Sequence, residues 1–154
     1  MKTNDTSPDR EIVNTRTVNA PRELVYAAWT DPEHLKHWWG PAGFTNTFTD
    51  FDLRPGGKWN FIMHGPDKDN YPNECEFTRI EEPGFISWKR LSKPLFEMAV
   101  SLEMVATDET RVVFKMIFPS AEACDKLKGF APEKNEENLD RLELELAKMK
   151  LENK

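Results

Sequence analysis

The chain has 154 residues, 38% of them hydrophobic and 31% charged, with a formal net charge of −6 at pH 7. A single domain of this length buries about 68–70% of the surface of its unfolded chain, and the apolar share is too high for intrinsic disorder. The acidic balance excludes a phosphate-tracking surface, and no run of about 18 apolar residues exists to cross a membrane, so neither nucleic acid nor a membrane span is expected.

Residues 1–9 read as a polar, disordered leader without the apolar segment of a secretory signal, and residues 10–152 as one domain. Cys75 and Cys124 lie far apart, outside any CxxC or Cys/His cluster, and are expected as free thiols of a cytoplasmic protein. Glu11 to Val18, "EIVNTRTV", is a β-branched run that predicts a strand. Asn19 or Ala20 then caps a helix with Pro21 in its first turn, and Leu24, Val25, Ala28 and Trp29 recur at helical spacing. Asp31-Pro32 starts a second short helix, "PEHLKHWW", which stops at Gly40-Pro41. Trp38 and Trp39 close that helix. Adjacent helical side chains point about 100° apart, so one ring is expected to pack into the core while the other faces a cavity or a partner.

From Phe44 the hydrophobic period changes to two. Residues 44–53 end at the turn Arg54-Pro55-Gly56-Gly57, after which Trp59, Phe61 and Met63 alternate with Asn60, Ile62 and His64. A polar loop, "GPDKDNYPN", leads to "ECEFTRI" (74–80), a Pro-Gly turn and "FISWKRL" (85–91). Phe96, Met98, Val100, Leu102 and Met104 share one face of the next strand, and Val112, Phe114, Met116 and Phe118 one face of the last. A loop over 119–131 precedes a long helix from about Pro132 to Leu151, whose Leu139, Leu142, Leu146 and Met149 form one apolar stripe. The layout is α+β: one strand, two short helices, six consecutive antiparallel strands and a long helix. One helix cannot cover a curved sheet of seven strands, so the rest of the concave face must be filled by large side chains or left as a cavity.

The stretches "TRTVNAPRELVYAAWTDPEHLKHWWGPAGF" (15–44), "DLRPGGKW" (52–59), "FTRIEEPGFISW" (77–88) and "NLDRLELEL" (138–146) resemble the SRPBCC (START-like, helix-grip) superfamily. Within it, the chain is most similar to the family related to the C-terminal domain of the activator of the ninety-kilodalton heat-shock protein ATPase. The resemblance implies a helix-grip fold, a seven-stranded antiparallel sheet wrapped around the C-terminal helix, enclosing a hydrophobic cavity. Family activities range from lipid and polyketide binding to cyclisation and co-chaperone action, so the fold alone does not decide function. The segment before the last helix lacks a tryptophan expected there, which implies a wider or more polar cavity end.

The residues expected to face the cavity are Trp38, Trp39, Phe48, Trp59, Phe61, Met63, Trp88, Phe96, Met98, Phe114, Met116 and Phe118. Aromatics and methionines are adaptable liners for apolar ligands, and Trp38 and Trp39 are placed at the cavity mouth. Asn60, His64, Arg90 and Asn135 are the polar groups considered for orienting a ligand. The ordinary structural alternative is that most of these aromatics simply fill the core.

Other constellations carry less. His34 and His37 lie at helical i, i+3 spacing but lack a third ligand, so they are read as solvated, with no metal expected. Asp50, Asp52 and Arg54 are read as turn-fixing residues, with Arg16 as a structural ion-pair partner, rather than as acid–base groups. Cys75 has no histidine beside it in sequence and is read as a buried inert thiol. Gly56-Gly57 is a hairpin turn and not a phosphate cradle. The resulting expectation is a protein that needs no cofactor and binds a small, mostly hydrophobic molecule. A co-chaperone-like protein-binding module and a cyclase- or hydrolase-type enzyme are the alternatives.

Overall fold

The computed structural model describes residues 8–152, so positions 1–7 of the expected leader lie outside the described residues. Pro8–Arg10 form a single 3-10 turn leading into β1 (Glu11–Val18). Helices α1 (Arg22–Thr30) and α2 (Pro32–Trp38) follow, then β2 (Thr45–Phe51), β3 (Lys58–His64), β4 (Asn70–Glu81), β5 (Phe85–Arg90), β6 (Glu97–Ala106) and β7 (Glu109–Ile117). A five-residue helix α3 (Ala121–Asp125) and the 22-residue α4 (Ala131–Glu152) complete the chain. This is the helix-grip fold.

The seven strands form one antiparallel sheet in the order β1-β7-β6-β5-β4-β3-β2. β1 and β2 are neighbours among the strands in sequence yet occupy opposite edges, so α1 and α2 carry the chain across the open end of the sheet. Asp31 starts α2 by accepting the Glu33 N–H at 3.0 Å, with Pro32 pre-set for the first turn. α4 presents Ala131, Asn135, Asn138, Leu139, Leu142, Leu146 and Met149 inward against the concave face. Its apolar stripe matches the sequence reading, except that Asn135, Asn138 and Glu145 are buried as well.

Strand alternation places Trp59, Phe61 and Met63 on the concave face, and bulges at Phe48/Asp50, Phe77/Arg79 and Met104/Ala106 bend the sheet around α4. β4 begins at Asn70, earlier than the apolar pattern predicts, because its polar first residues pair with the far end of β3 beyond the packed core. The expected loop over 119–131 contains α3, capped by Ser120, whose hydroxyl accepts the Ala123 N–H at 3.1 Å.

All five tryptophans meet in one cluster. Trp29 stands edge-on to Trp38 with centroids 4.6 Å apart, and Trp39 bridges to Trp59 at 5.5 Å and Trp88 at 5.7 Å. Such pairs contribute about 0.5–1.5 kcal/mol each beyond the area they bury. Both rings of the Trp-Trp pair reach the interior because helical geometry ends between them: Trp38 closes α2, while Trp39 is extended at φ −64°, ψ 133°.

Candidate functional site

Between the sheet and the first half of α4 the packing opens into an inner chamber of about 150 Å³. Strand register lays down its floor. Phe61 pairs with Asn73, Cys75 with Arg90, Trp88 with Met98, and Met98 with Met116. Trp39, Gly40 and Pro41 form one wall, Asn135 and Asn138 of α4 the roof. An outer vestibule of about 530 Å³ adjoins it, bounded by Phe44, Tyr71, Lys93, Pro94 and Phe130 among others. The two spaces share Pro41, Met63, Asn73, Arg90 and Phe96, which therefore form the neck.

The wall at residues 37–44 is held by α4. Arg141 spreads its guanidinium over backbone carbonyls, donating to Gly40 and Pro41 at 2.9 Å, Phe44 at 2.9 Å and His37 at 3.1 Å. Asn138 Oδ1 accepts the Gly40 N–H at 3.1 Å, and Glu137 accepts that of Ala42 at 3.1 Å. Gly40 sits at φ +100°, and a Cβ there would meet the Met63 methyl at 2.6 Å. The left-handed backbone is what favours glycine here, since the Met63 methyl is the far end of a flexible side chain that can move aside.

The polar groups are few. Asn14 joins β1 to α4, donating to the Pro132 carbonyl at 3.0 Å and Glu136 at 2.7 Å while accepting from Asn135 at 3.1 Å. Arg90 Nε donates to the Pro94 carbonyl at 2.9 Å, and Nη2 to the Lys93 carbonyl at 3.0 Å and the Ser92 hydroxyl at 3.2 Å. Its guanidinium lies 5.4 Å from the Phe96 ring centre. Burial pulls Arg90 below the ordinary guanidinium value. Burial likewise pushes the Cys75 thiol up to about 12, so it stays protonated and unreactive at neutral pH.

Of the residues expected at the cavity, the structure brings Trp39, Phe61, Met63, Trp88, Phe96, Met98, Phe114 and Met116 to the inner chamber. Four lie elsewhere. Trp38 is 1% exposed and donates its indole N–H to the Ala28 carbonyl at 3.0 Å, so it is core and not mouth. Trp59 is fully buried beneath Phe61 and Phe77, Phe48 packs on Phe51 at the β2 edge, and Phe118 faces a separate groove beside α3. Among the polar groups considered, Arg90 and Asn135 line the chamber. Asn60 and His64 do not, because strand parity turns them outward to Asp50 at 3.0 Å and to Thr47 and Asn70. Gly40, Pro41, Asn73, Cys75 and Asn138 are the liners not expected from the sequence. Asn138 falls at helical spacing within the α4 stripe and was recoverable; it was passed over because it is polar.

The remaining constellations resolve as structural. His34 is not simply solvated: its Nδ1 lies 2.8 Å from Glu145, a buried acid on α4. Among the described residues no group of three or more His, Cys, Asp or Glu side chains is arranged to hold a metal. Arg54 pairs with its neighbour Asp52 at 2.8 Å. Arg16 is no partner to that turn; it binds Glu136, Asp140 and Glu143 of α4 at 2.6, 2.6 and 2.9 Å. No helix among the described residues is long and apolar enough to cross a membrane.

Comparison with known proteins places this geometry. The family model described as Activator of Hsp90 ATPase homolog 1-like protein (AHSA1) matches residues 19–147. No curated protein matches the chain in sequence. A crystal structure of a protein from Nitrosomonas europaea has a TM-score of 0.86 at 21% identity, covering 95% of this chain and 99% of that one. A solution structure from Arthrobacter aurescens gives 0.84 at 24% identity, covering 94% and 90%. The AHSA1 protein from Silicibacter pomeroyi gives 0.73 at 19% identity, covering 89% and 97%. At these identities the likeness is one of fold.

Proposed function

The chain belongs to the family of Activator of Hsp90 ATPase homolog 1-like proteins, and from that premise we propose that it binds a small, mostly hydrophobic molecule in the cavity between the sheet and α4. The observation that carries this reading is an inner chamber of about 150 Å³ walled by aromatics and methionines and adjoined by a larger vestibule. A space of that size has room for a single benzene-like ring. Burying such a ring contributes roughly 4–6 kcal/mol, and association costs at least about 4 kcal/mol. A ring alone therefore leaves little surplus, and useful affinity requires the ligand to extend into the vestibule.

The chamber lining holds Arg90, Cys75 and three asparagines as its polar side chains, with no carboxylate or imidazole to form an acid–base pair. Binding is thus better supported than a hydrolase or cyclase reaction. An exposed patch around Trp38 would have favoured a protein-binding module, and Trp38 is buried. Two free, buried cysteines support a cytoplasmic setting.

Titration with fatty acids, flavonoids and polyketide-like aromatics, followed by amide and indole NMR shifts, tests the reading. Saturable shifts at the Trp39 and Trp88 indoles, with Trp38 little affected, are the expected result. An unresponsive spectrum across the whole panel would count against the cavity as a binding site.

A further inference from the structure

The neck between the two chambers carries a charge that no acidic side chain among the described residues answers. The sequence contains 27 Asp and Glu residues against 21 Lys and Arg. Yet the residues lining both chambers include two cations, Arg90 and Lys93, and no acid. Arg90 forms no salt bridge among the described residues; the neighbouring polar side chain across the strands, Cys75, is a neutral thiol.

The guanidinium is nonetheless fixed. Nε and Nη2 are engaged by the Ser92, Lys93 and Pro94 carbonyls and the Ser92 hydroxyl, which lock the 91–95 turn around it. Nη1 is left over, its two N–H groups taken by no acceptor among the described residues. A guanidinium held rigid by neutral acceptors on Nε and Nη2, with Nη1 unused, is pre-organised to donate from that one nitrogen to an anion such as a carboxylate oxygen. Partly buried charge–charge hydrogen bonds of this kind exceed neutral ones in strength.

Resting on the binding reading above, we propose that the ligand is an amphiphilic carboxylic acid. Its apolar end, no larger than a single aromatic ring, occupies the inner chamber, and its carboxylate accepts a hydrogen bond from Nη1 of Arg90 at the neck. The volumes set the order of the parts: a ring fits the inner space, and any longer or second substituent must project into the vestibule. The Phe96 ring lines both spaces and lies 5.4 Å from the guanidinium, so it flanks the contact on its apolar side.

The test compares 3-phenylpropanoate with its uncharged amide, 3-phenylpropanamide, by NMR titration at pH 7, on the unmodified protein and on Arg90→Gln and Arg90→Lys. The acid is expected to bind at least tenfold more tightly than the amide. That ratio should fall towards one in Arg90→Gln and be partly kept in Arg90→Lys. Taking the ratio removes any general effect of Arg90 on the 91–95 turn, since both ligands would suffer it alike. Equal binding of acid and amide to the unmodified protein overturns the anion proposal and leaves the cavity reading standing. A preference for the acid that persists in Arg90→Gln moves the charge recognition to Lys93 and overturns the assignment to Arg90. Failure of both probes to shift any cavity resonance, while a fatty acid or flavonoid of the panel above still does, overturns the one-ring carboxylate proposal alone; silence from that panel as well removes the cavity reading with it.

Discussion

At the scale of single residues, two neighbours that look alike in sequence do different work. Trp38 fills the core beneath Trp29 and satisfies its indole N–H on the Ala28 carbonyl, whereas Trp39 turns out of the helix to wall the inner chamber. Trp38→Ala should therefore lower unfolding free energy by about 3–5 kcal/mol, measured by denaturant titration, because it removes a fully buried aromatic and orphans a buried carbonyl. Trp39→Leu should cost less stability and weaken ligand binding more. If the two variants lose stability equally while binding is untouched, Trp39 is core like its neighbour. The amphipathic spacing in the sequence showed that both rings sat at a helix end. It could not show that the backbone becomes extended one residue before the glycine, which is what separates their roles.

At the scale of elements, α4 is tied to the rest of the fold by charge as well as by its apolar stripe. Arg141 to Met should free the 37–44 wall from four well-made hydrogen bonds and cost about 2–3 kcal/mol, the range for charged hydrogen bonds partly replaced by water. Loss of hydrogen-exchange protection confined to residues 37–44 would be the signature, and uniform loss across the sheet would contradict it. Glu136 ties α4 to β1: the hydrogen bond from Asn14, and then the Arg16 guanidinium, hold its carboxyl below the usual glutamate value. A carboxyl depressed in the folded state stabilises fully above its unfolded value near 4.3 and loses that contribution as pH falls through the folded value. Because Glu136 is nearly half exposed, solvent screening limits the effect to about 1 kcal/mol or less. Glu136→Gln should accordingly flatten the fall in stability between about pH 5 and pH 3. Alternation made the strands and their inward faces legible, including the Trp59-Phe61-Met63 row. The start of β4 was illegible because Asn70 and Tyr71 border the vestibule and so carry no apolar period. Depth was illegible too: parity says that Phe61 and Trp59 both face inward, but only the curvature of the sheet decides which one is covered.

At the scale of the whole molecule, the empty space follows from geometry: seven strands curve around one helix whose first half presents Asn135 and Asn138 where leucines would close the gap. Interiors otherwise pack to crystal-like density, and an unfilled chamber forgoes contacts that would stabilise the fold. Filling it should then raise stability and remove function, the trade expected of a binding site. Cys75 offers the place to do this. It lies on the chamber floor, is 1% exposed, and burial already holds its thiol neutral, so replacing it removes no charge. Cys75→Leu puts a branched chain where the thiol stood and occupies part of the 150 Å³ without touching Arg90's contacts to the 91–95 turn. The expected outcome is a melting temperature unchanged or raised by a few degrees, since about 1 kcal/mol moves a domain of this size by roughly 2–4 °C. Affinity for a ring-bearing ligand should drop at least tenfold in the same variant. A destabilised Cys75→Leu protein would mean that the chamber is too tightly shaped to admit the extra atoms, and Cys75→Val would then give the smaller fill. Binding that survives either stable variant would place the ligand in the vestibule alone and leave the inner chamber as a packing defect of the fold.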